Sequence, residues 1–306
     1  MNEKYIELRT RSTFGDIINT YFLFLKHNFK TYTNLYLRYN AISIILALVC
    51  SYLLATGFMG LVSRDFRFGM DNNSSSDNYL IAGGIILVLV FFITTSINYS
   101  FSSAYIADYA NHNGKVESKR IWKSIMSNIG TIIVFILIGA FLYLIYLFIA
   151  GVLSLIPLLG FFAQYGLNFT MSAIFGLTFM SIFSTKKGFS EAISEGFDFT
   201  FSNFWRIVLF GLVIGLLGFV FMMTLFQIPT YLMGIYVYFS VESGIDLTTS
   251  TVATLFFTLW FAIILIFLIY VQALSQIAYG ILYYNLFEVK HNVFLQNKID
   301  QIGINE

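Results

Sequence analysis

Long apolar stretches joined by short polar segments dominate the chain. Six of them are long enough to cross a hydrocarbon core of about 30 Å at about 1.5 Å per residue. They are Ala41–Leu61, Leu80–Tyr109, Ile129–Leu155, Gly160–Phe183, Ile207–Gln227 and Val252–Tyr283. The second and sixth exceed the length that a bilayer needs, so we expect these helices to tilt or protrude. The pattern predicts an all-α polytopic membrane protein with six transmembrane helices, the fifth of which ends near Pro229.

The composition agrees with a bilayer as the solvent. Hydrophobic residues make up 58% of the chain and charged residues 11%, and the mean hydropathy is +0.78, whereas a soluble domain carries about 25% charged residues. The 17 Lys and Arg nearly balance the 16 Asp and Glu, so no nucleic-acid partner is expected. Cys50, the one cysteine, lies in the first apolar stretch and is expected to pack as a small apolar group, not in a disulfide or metal site.

The positions of the basic residues predict the orientation in the membrane. The segments before the first span, between the second and third, between the fourth and fifth, and after the sixth hold 6, 4, 3 and 2 Lys or Arg, which is 15 of the 17. The positive-inside rule therefore predicts that both termini are cytoplasmic. Residues 1–13 carry five charges without a following cleavage site, so no removable signal peptide is expected. The predicted location is the bacterial inner membrane.

Two matches within the chain indicate an internal repeat. Residues 14–29 align without gaps onto residues 189–204 at an offset of 175, and they share Phe14/Phe189, Asp16/Glu191, Ile18/Ile193, Phe22/Phe197, Phe24/Phe199, Asn28/Asn203 and Phe29/Phe204. A second match, at an offset of 174, pairs Ala104, Tyr105, Tyr109 and Asn111 with Ala278, Tyr279, Tyr283 and Asn285. Because the two offsets agree within one residue, we expect a repeated unit of one amphipathic helix followed by a transmembrane hairpin.

The repeat divides a single membrane domain, residues 1–306, into parts. The first unit covers residues 14–111 and the third covers residues 189–285, while residues 116–184 form a middle hairpin and residues 286–306 a cytoplasmic tail. Trp122, Asn128 and Ile129 suggest that a degenerate copy of the amphipathic helix opens the middle hairpin. All copies begin on the same side, so the pseudo-symmetry axis should run along the membrane normal.

The segments that open the copies have the pattern of interfacial amphipathic helices. In the first copy the apolar residues at helical spacing are Phe14, Ile17, Ile18, Tyr21, Phe22, Leu25 and Phe29. We expect these helices to lie on the inner leaflet, the first one capped by Thr13 with Asp16 in its first turn. Asn28 and Asn203 are predicted to mark the joints to the spans that follow.

The polar faces of the second and third amphipathic segments differ in charge. The middle segment carries Lys119, Arg120 and Lys123, and the third carries Glu191, Glu195 and Asp198. An acidic helix is disfavoured beside anionic lipid, so one interpretation docks the third helix on the middle one or on the basic surface of a partner protein. The alternative is that both faces are solvated, because exposed ion pairs contribute only about 0–1 kcal/mol.

Uncharged polar residues form stripes on the three inward-running spans. They are Asn98, Ser102, Tyr105 and Tyr109 on the second span, Gln164, Asn168 and Ser172 on the fourth, and Gln272, Ser275, Gln276 and Tyr279 on the sixth. One interpretation is hydrogen bonding between helices of the bundle. The other is a hydrated cavity, or one that accepts a lipid headgroup, open to the cytoplasm.

No pattern of catalytic residues or ligands is evident in the sequence. His27, His112 and His291 have no metal-ligand spacing, and neither phosphate-binding glycine loops nor a Gly-x-Ser-x-Gly motif occurs. The spans contain no Lys, Arg or Glu in their interiors, which argues against a proton or ion relay. We therefore expect a protein that is not an enzyme and that has no metal or other cofactor.

The end of the last span, Ile281–Glu288, reads ILYYNLFE and resembles the close of the bacterial membrane domain named for glycerophosphoryl diester phosphodiesterase. That family ends its last span in a Leu-Tyr-Tyr-Asp-Leu-Arg-like sequence, and it shares the opening amphipathic helix and the six-span layout. Asn285 and Phe287 replace the Asp and the Arg of the family, so no role of those charged residues carries over. The resemblance implies a membrane domain without the phosphodiesterase barrel.

Two functions remain after these exclusions. The first is a non-enzymatic membrane scaffold, or an accessory subunit of a membrane complex, with lipids and other membrane or cytoplasmic proteins as partners. The second is a transporter or lipid-handling protein whose cavity is lined by the polar stripes. Stoichiometric partners would favour the first, and a continuous cavity bearing Asn98, Gln272 and Gln276 would favour the second.

Overall fold

The computed structural model describes residues 5–66, 74–156, 158–244, 247, 250–293, 296, 299 and 300. Within these residues the chain is helical and has no strands. Nine helices follow one another, namely α1 (Phe14–Tyr39), α2 (Ala41–Phe66), α3 (Ser74–Asn111), α4 (Ser118–Ser127), α5 (Ile129–Ser154), α6 (Leu159–Ser184), α7 (Phe189–Ser202), α8 (Phe204–Glu242) and α9 (Thr251–His291). Six of them, α2, α3, α5, α6, α8 and α9, are long and apolar enough to cross a membrane, which confirms the predicted class.

Helix α8 is much longer than its apolar pattern predicted. It continues through Pro229 to Glu242, so the expectation that the fifth span ends near this proline is wrong. Proline lacks an N–H, which leaves the carbonyl of Leu225 without its helical partner, but the apolar residues that follow are compatible with continued helix. Helices α3, α8 and α9 contain 38, 39 and 41 residues, or about 57–62 Å at about 1.5 Å per residue, roughly twice the hydrocarbon thickness.

Helix α1 also runs further than expected. It passes through Asn28 without a break and ends at Tyr39, so the first joint lies at Asn40. The helix persists because its buried face continues at helical spacing through Tyr32 and Tyr36. At its start, Thr13 and Asp16 cap each other, with Asp16 N donating to Thr13 Oγ1 (3.4 Å) and Thr13 N to Asp16 Oδ2 (3.2 Å).

The same side-chain hydrogen bond occurs in α1, at the end of α4 and at the end of α7. Asn28 Nδ2 donates to the carbonyl of Phe24 at 3.0 Å, Asn128 Nδ2 to that of Ser124 at 2.9 Å, and Asn203 Nδ2 to that of Phe199 at 3.0 Å. Asn128 and Asn203 each stand between two helices, with φ of −107° and −126°. Asn203 lies at its predicted joint, and Asn128 has the equivalent position between α4 and α5, whereas in α1 the helix continues through Asn28.

The chain divides into two compact units. Unit 1 comprises residues 1–38, 98–216 and 273–306, and unit 2 comprises residues 39–97 and 217–272. In unit 1, α1 packs on α3 through aromatic rings, with Tyr32 5.1 Å from Tyr105 and 5.4 Å from Phe101 between ring centroids. In unit 2, the core cluster consists of Ala55, Met59, Met233, Leu247, Ala253 and Phe257.

Candidate functional site at the ends of α3, α6 and α9

Helix α7 lies in very close contact with α6 in unit 1. A Cβ atom placed on Gly196 would come within 2.2 Å of Thr178 Oγ1 and 3.0 Å of the carbonyl oxygen of Ile174. No side chain fits at this position, since real Cβ atoms do not approach other atoms so closely. Gly196 therefore sets the distance between the two helices, and it brings the neighbouring Glu195 against α6.

Glu195 is a buried carboxylate, and its residue is only 7% exposed. Its Oε2 accepts hydrogen bonds from Ser181 Oγ at 2.5 Å and from the hydroxyl of Tyr283 at 3.1 Å, and its Oε1 pairs with Lys187 Nζ at 2.7 Å. We call these four residues the Glu195 cluster. A buried charge is stable when it is paired and hydrogen-bonded, as it is here. The cluster joins α7 to α6 and α9 and to the loop that precedes α7.

A second buried carboxylate joins α3 to α4. Asp108, which is 7% exposed, accepts from Arg120 Nε at 2.8 Å and from Nη2 at 3.2 Å, and it also accepts from the backbone N–H of Glu117 at 2.9 Å. The two-pronged guanidinium contact fixes direction as well as distance. Its hydrogen bond to Asp108 raises the pKa of Arg120 above its already high value. The pair holds the start of α4 at the end of α3.

The segment before α1, residues 5–13, lies across the ends of α3 and α9. The N–H of Ile6 donates to the Tyr109 hydroxyl at 3.0 Å, and Leu8 is 2% exposed. At the other end, Asn285 Nδ2 donates to the carbonyl of Thr10 at 2.8 Å. The sequence pattern did not predict this arrangement, because the segment has neither helical spacing nor apolar runs.

Asn111 and Asn285, which the repeat alignment pairs, both bind an arginine in unit 1. Asn111 Oδ1 accepts from Arg9, and Asn285 Oδ1 accepts from Arg206 Nη2 at 2.8 Å. Arg206 Nη2 also donates to the carbonyl of Ser12 at 3.0 Å. The ends of α3 and α9 are thus linked to the N-terminal segment by the same kind of side chain.

Two of the three acidic residues of α7 pair with bases outside α4. Glu195 pairs with Lys187, and Asp198 with Lys290 near the end of α9, whose Nζ also lies 5.4 Å from the centre of the Phe199 ring. The hydrogen bond from Lys290 lowers the pKa of Asp198. Among the described ion pairs of α7, none is to a base of α4.

Apart from Arg120, the remaining members of that predicted surface are solvent-exposed. Arg120 is engaged by Asp108 and Glu117. Glu191, Lys119 and Lys123 are exposed, and within the described part of the chain none of the three forms an ion pair. These three side chains are the part of the predicted partner surface that stays accessible.

Most of the polar stripes on α3 and α9 lie between helices. In unit 1, Ser102 Oγ donates to the carbonyl of Ala273 at 3.2 Å, and Gln276 Nε2 donates to Ser103 Oγ at 2.7 Å and to the carbonyl of Gly176 at 3.0 Å. In unit 2, Gln272 Nε2 donates to Thr95 Oγ1 at 2.9 Å. The other predicted members are buried or half-buried, namely Asn98, Tyr105, Ser275 and Tyr279.

The stripe on α6 has a different environment. Asn168 is exposed and Gln164 is half-buried, and neither side chain has a hydrogen-bond partner among the residues that the structure describes. Both belong to the span Gly160–Ser184. Their amides therefore lie on the surface of a transmembrane helix, not inside unit 1.

One groove has a volume of about 880 Å³, and its described lining residues all belong to α8, on both sides of Pro229. They are Gln227, Ile228, Thr230, Tyr231, Leu232, Gly234, Ile235, Tyr238 and Phe239. The groove includes no residue of the polar stripes. Over the described ranges, no group of three or more His, Cys, Asp or Glu side chains could hold a metal ion.

Comparison with known proteins gives no relative for this chain. No protein-family model, curated protein or solved structure matches it. The resemblance of residues 281–288 to the membrane domain named for glycerophosphoryl diester phosphodiesterase therefore stays a prediction. The six apolar helices are those of a multi-pass membrane protein.

Proposed function

We propose that the chain is a non-enzymatic scaffold, or an accessory subunit of a complex, in the bacterial inner membrane, with both termini in the cytoplasm. The observation that carries the proposal is the position of Gln276, which is 1% exposed and hydrogen-bonded to α3 and α6 at the same time. In a membrane, hydrogen bonds from such side-chain amides stabilise the packing of helices. The side chain of Gln276 thus acts in packing and is not available to a solute.

The accessible charges support a protein partner at the side that carries α4. Lys119 and Lys123 are exposed beside Trp122, which is 55% exposed, and Met126, which is 39% exposed. Aromatic residues and methionine are enriched in protein-binding surfaces, and the flanking lysines give this surface a positive charge that can attract an acidic partner. On α1, Lys26 and Lys30 instead alternate with the exposed rings of Phe22 and Phe29, a pattern that suits the lipid interface.

An internal duplication accounts for the shared contacts of the first and third units. The ring of Phe24 lies 4.8 Å from that of Tyr109 and the ring of Phe199 lies 5.7 Å from that of Tyr283, both edge to face. The alignment pairs Phe24 with Phe199 and Tyr109 with Tyr283. Together with the three asparagine-to-carbonyl bonds, these contacts support two full copies and a degenerate middle one.

The test is copurification of the full chain in mild detergent, followed by mass spectrometry of bound proteins and lipids. We expect a stoichiometric protein partner that is lost in the double variant Lys119→Glu, Lys123→Glu. The matched control, Lys26→Glu with Lys30→Glu, makes the same change of charge on α1 and should retain the partner. If no protein copurifies, or if a bound lipid or solute is lost on replacing Gln276 by Leu, the transporter or lipid-handling alternative is favoured instead.

A further inference from the structure

Two amide side chains mark one face of α6. Gln164 and Asn168 are one helical turn apart, so they project from the same side of the helix. Their neighbours on this face are large and exposed, since Phe161 is 57% and Tyr165 is 50% exposed. The face therefore presents two polar groups within an apolar surface.

The depth of Asn168 makes its exposure costly in a bilayer. The span Gly160–Ser184 puts it about 12 Å from the one end and about 24 Å from the other, at about 1.5 Å per residue. A short side chain at that depth does not reach the headgroups, in contrast to Lys or Arg. An amide in hydrocarbon without a hydrogen-bond partner is unfavourable by several kcal/mol. A polar partner that binds this face would remove that cost.

Other helices of the same chain cover α6 beside and beyond these amides. The ring of Phe169 packs on Gly211 and Gly215 of α8, where added Cβ atoms would meet it at 2.7 Å and 3.1 Å. Two turns after Asn168 on the same face, the ring of Phe175 is 5.4 Å from that of Phe135 of α5. At Asn168 the face is exposed, and there a partner from outside the chain can bind.

We propose that this face is the interface between two copies of the chain, which meet as α6 against α6. Two copies in one membrane have the same orientation, so a two-fold axis between them runs along the membrane normal and brings identical residues together at equal depth. Asn168 then meets Asn168, and Gln164 meets Gln164. Each amide carries both donors and an acceptor, so each is its own complement, which an unpaired lysine or carboxylate would not be.

Disulfide cross-linking in native membranes tests the contact directly. With the buried Cys50 replaced by alanine, the variants Asn168→Cys and Gln164→Cys should each give a disulfide-linked dimer on mild oxidation. The control is Leu144→Cys on α5, since Leu144 is 64% exposed and lies at a similar distance from the α5–α6 turn. A dimer yield no higher than that of the control, or cross-links to a different protein, overturns the proposal.

A second measurement distinguishes the effect of the amide group of Asn168 from the effect of its position in the helix. Counting of fluorescently labelled chains in lipid bilayers should give a dimer fraction that Asn168→Gln retains. Replacement of Asn168 by Leu should weaken dimerisation about fivefold or more, in the range of measured amide contacts between membrane helices. Leucine suits a lipid-facing site, so the variant should fold. Equal dimer fractions for the Gln and Leu variants contradict the proposal.

Discussion

Glu195 and Lys187 form an ion pair of 2.7 Å in which the carboxylate side chain is 6% exposed and the lysine side chain 31%. The lysine belongs to the short loop between α6 and α7, where Lys186 has a left-handed φ of 54°. The loop thereby turns back on the helix that it introduces. The ion pair fixes the start of α7 at the buried carboxylate of Glu195, to which Ser181 of α6 and Tyr283 of α9 also donate hydrogen bonds.

Removing the buried carboxylate should destabilise the protein. Glu195→Ala leaves Ser181, Tyr283 and Lys187 without their acceptor, and we expect a loss of about 2–3 kcal/mol, less than for a fully buried pair because Lys187 reaches solvent. Thermal unfolding in detergent measures the loss. Glu191→Ala, one turn away on the same helix and exposed, is the matched control and should change little. Equal effects of the two substitutions would show that the Glu195 cluster contributes no stability.

A methyl group at the contact between α6 and α7 should separate the helices. Gly196→Ala places its Cβ against Thr178 Oγ1 and the Ile174 carbonyl, and we expect a loss of about 1–3 kcal/mol from overpacking. Gly166→Ala is the control, because nothing lies within 4 Å of a Cβ at that helical position. Adding Thr178→Ala to Gly196→Ala should recover part of the loss. Full additivity of the two substitutions would contradict the close contact.

The link between α3 and α4 should depend on the shape of the guanidinium group. Arg120→Ala leaves the buried Asp108 with weaker partners, and we expect a destabilisation of about 2 kcal/mol. Arg120→Lys should restore only part of it, since an ammonium cannot make the two-pronged contact. Lys123→Ala, an exposed neighbour on α4, serves as the control. Unfolding temperatures in detergent distinguish the cases, and full rescue by lysine would mean that only charge matters here.

The pair of Asp198 and Lys290 predicts a pH dependence. Lys290 lowers the pKa of Asp198, so the stabilisation is present above the ordinary Asp pKa of about 3.9 and is lost as pH falls through the lowered value. Both side chains are about half exposed, at 46% and 49%, and the contribution should stay below about 1 kcal/mol. Asp198→Asn should therefore lower the unfolding temperature slightly at pH 7 and have no effect near pH 2.

The variant Lys290→Met provides the matching control for that prediction. In this background the Asp198→Asn substitution should have no effect on the unfolding temperature at either pH, because the partner of the carboxylate is gone. A remaining difference at pH 7 would assign the effect to Ser202, which also donates to Asp198 at 3.3 Å.

Hydropathy predicts where spans begin better than where helices end. Helices α2 and α5 begin at Ala41 and Ile129, as expected from the first apolar residues after Asn40 and Asn128. The ends of α1 and α8 were not predicted. The end of α1 depends on the burial of Tyr32 and Tyr36 against α3, and the end of α8 depends on the residues that follow Pro229. Neither Asn28 nor Pro229 ends its helix, because the residues beyond it continue to pack.

The candidate site was only partly readable from the sequence. Glu195 was grouped with Glu191 and Asp198 as one acidic face, although it lies on the buried stripe with Ala192, Gly196 and Phe199. That spacing was a usable signal of burial. Its partners were not predictable, because Ser181 and Tyr283 come from other helices and the sequence carries no sign of their approach. Ser102 and Gln276, by contrast, stand out in the sequence as members of polar stripes, and both form hydrogen bonds between helices.

The contacts of residues 5–13 have a consequence for the order of assembly during synthesis. The carbonyls of Thr10 and Ser12 bind Asn285 and Arg206, which the ribosome adds about 270 and 190 residues later. Residues 5–13 thus obtain these partners only after α8 and α9 have been translated. Residues 5–13 can therefore dock only when α9 is in place. In a truncated chain that lacks α9, this segment is exposed to quality-control proteases.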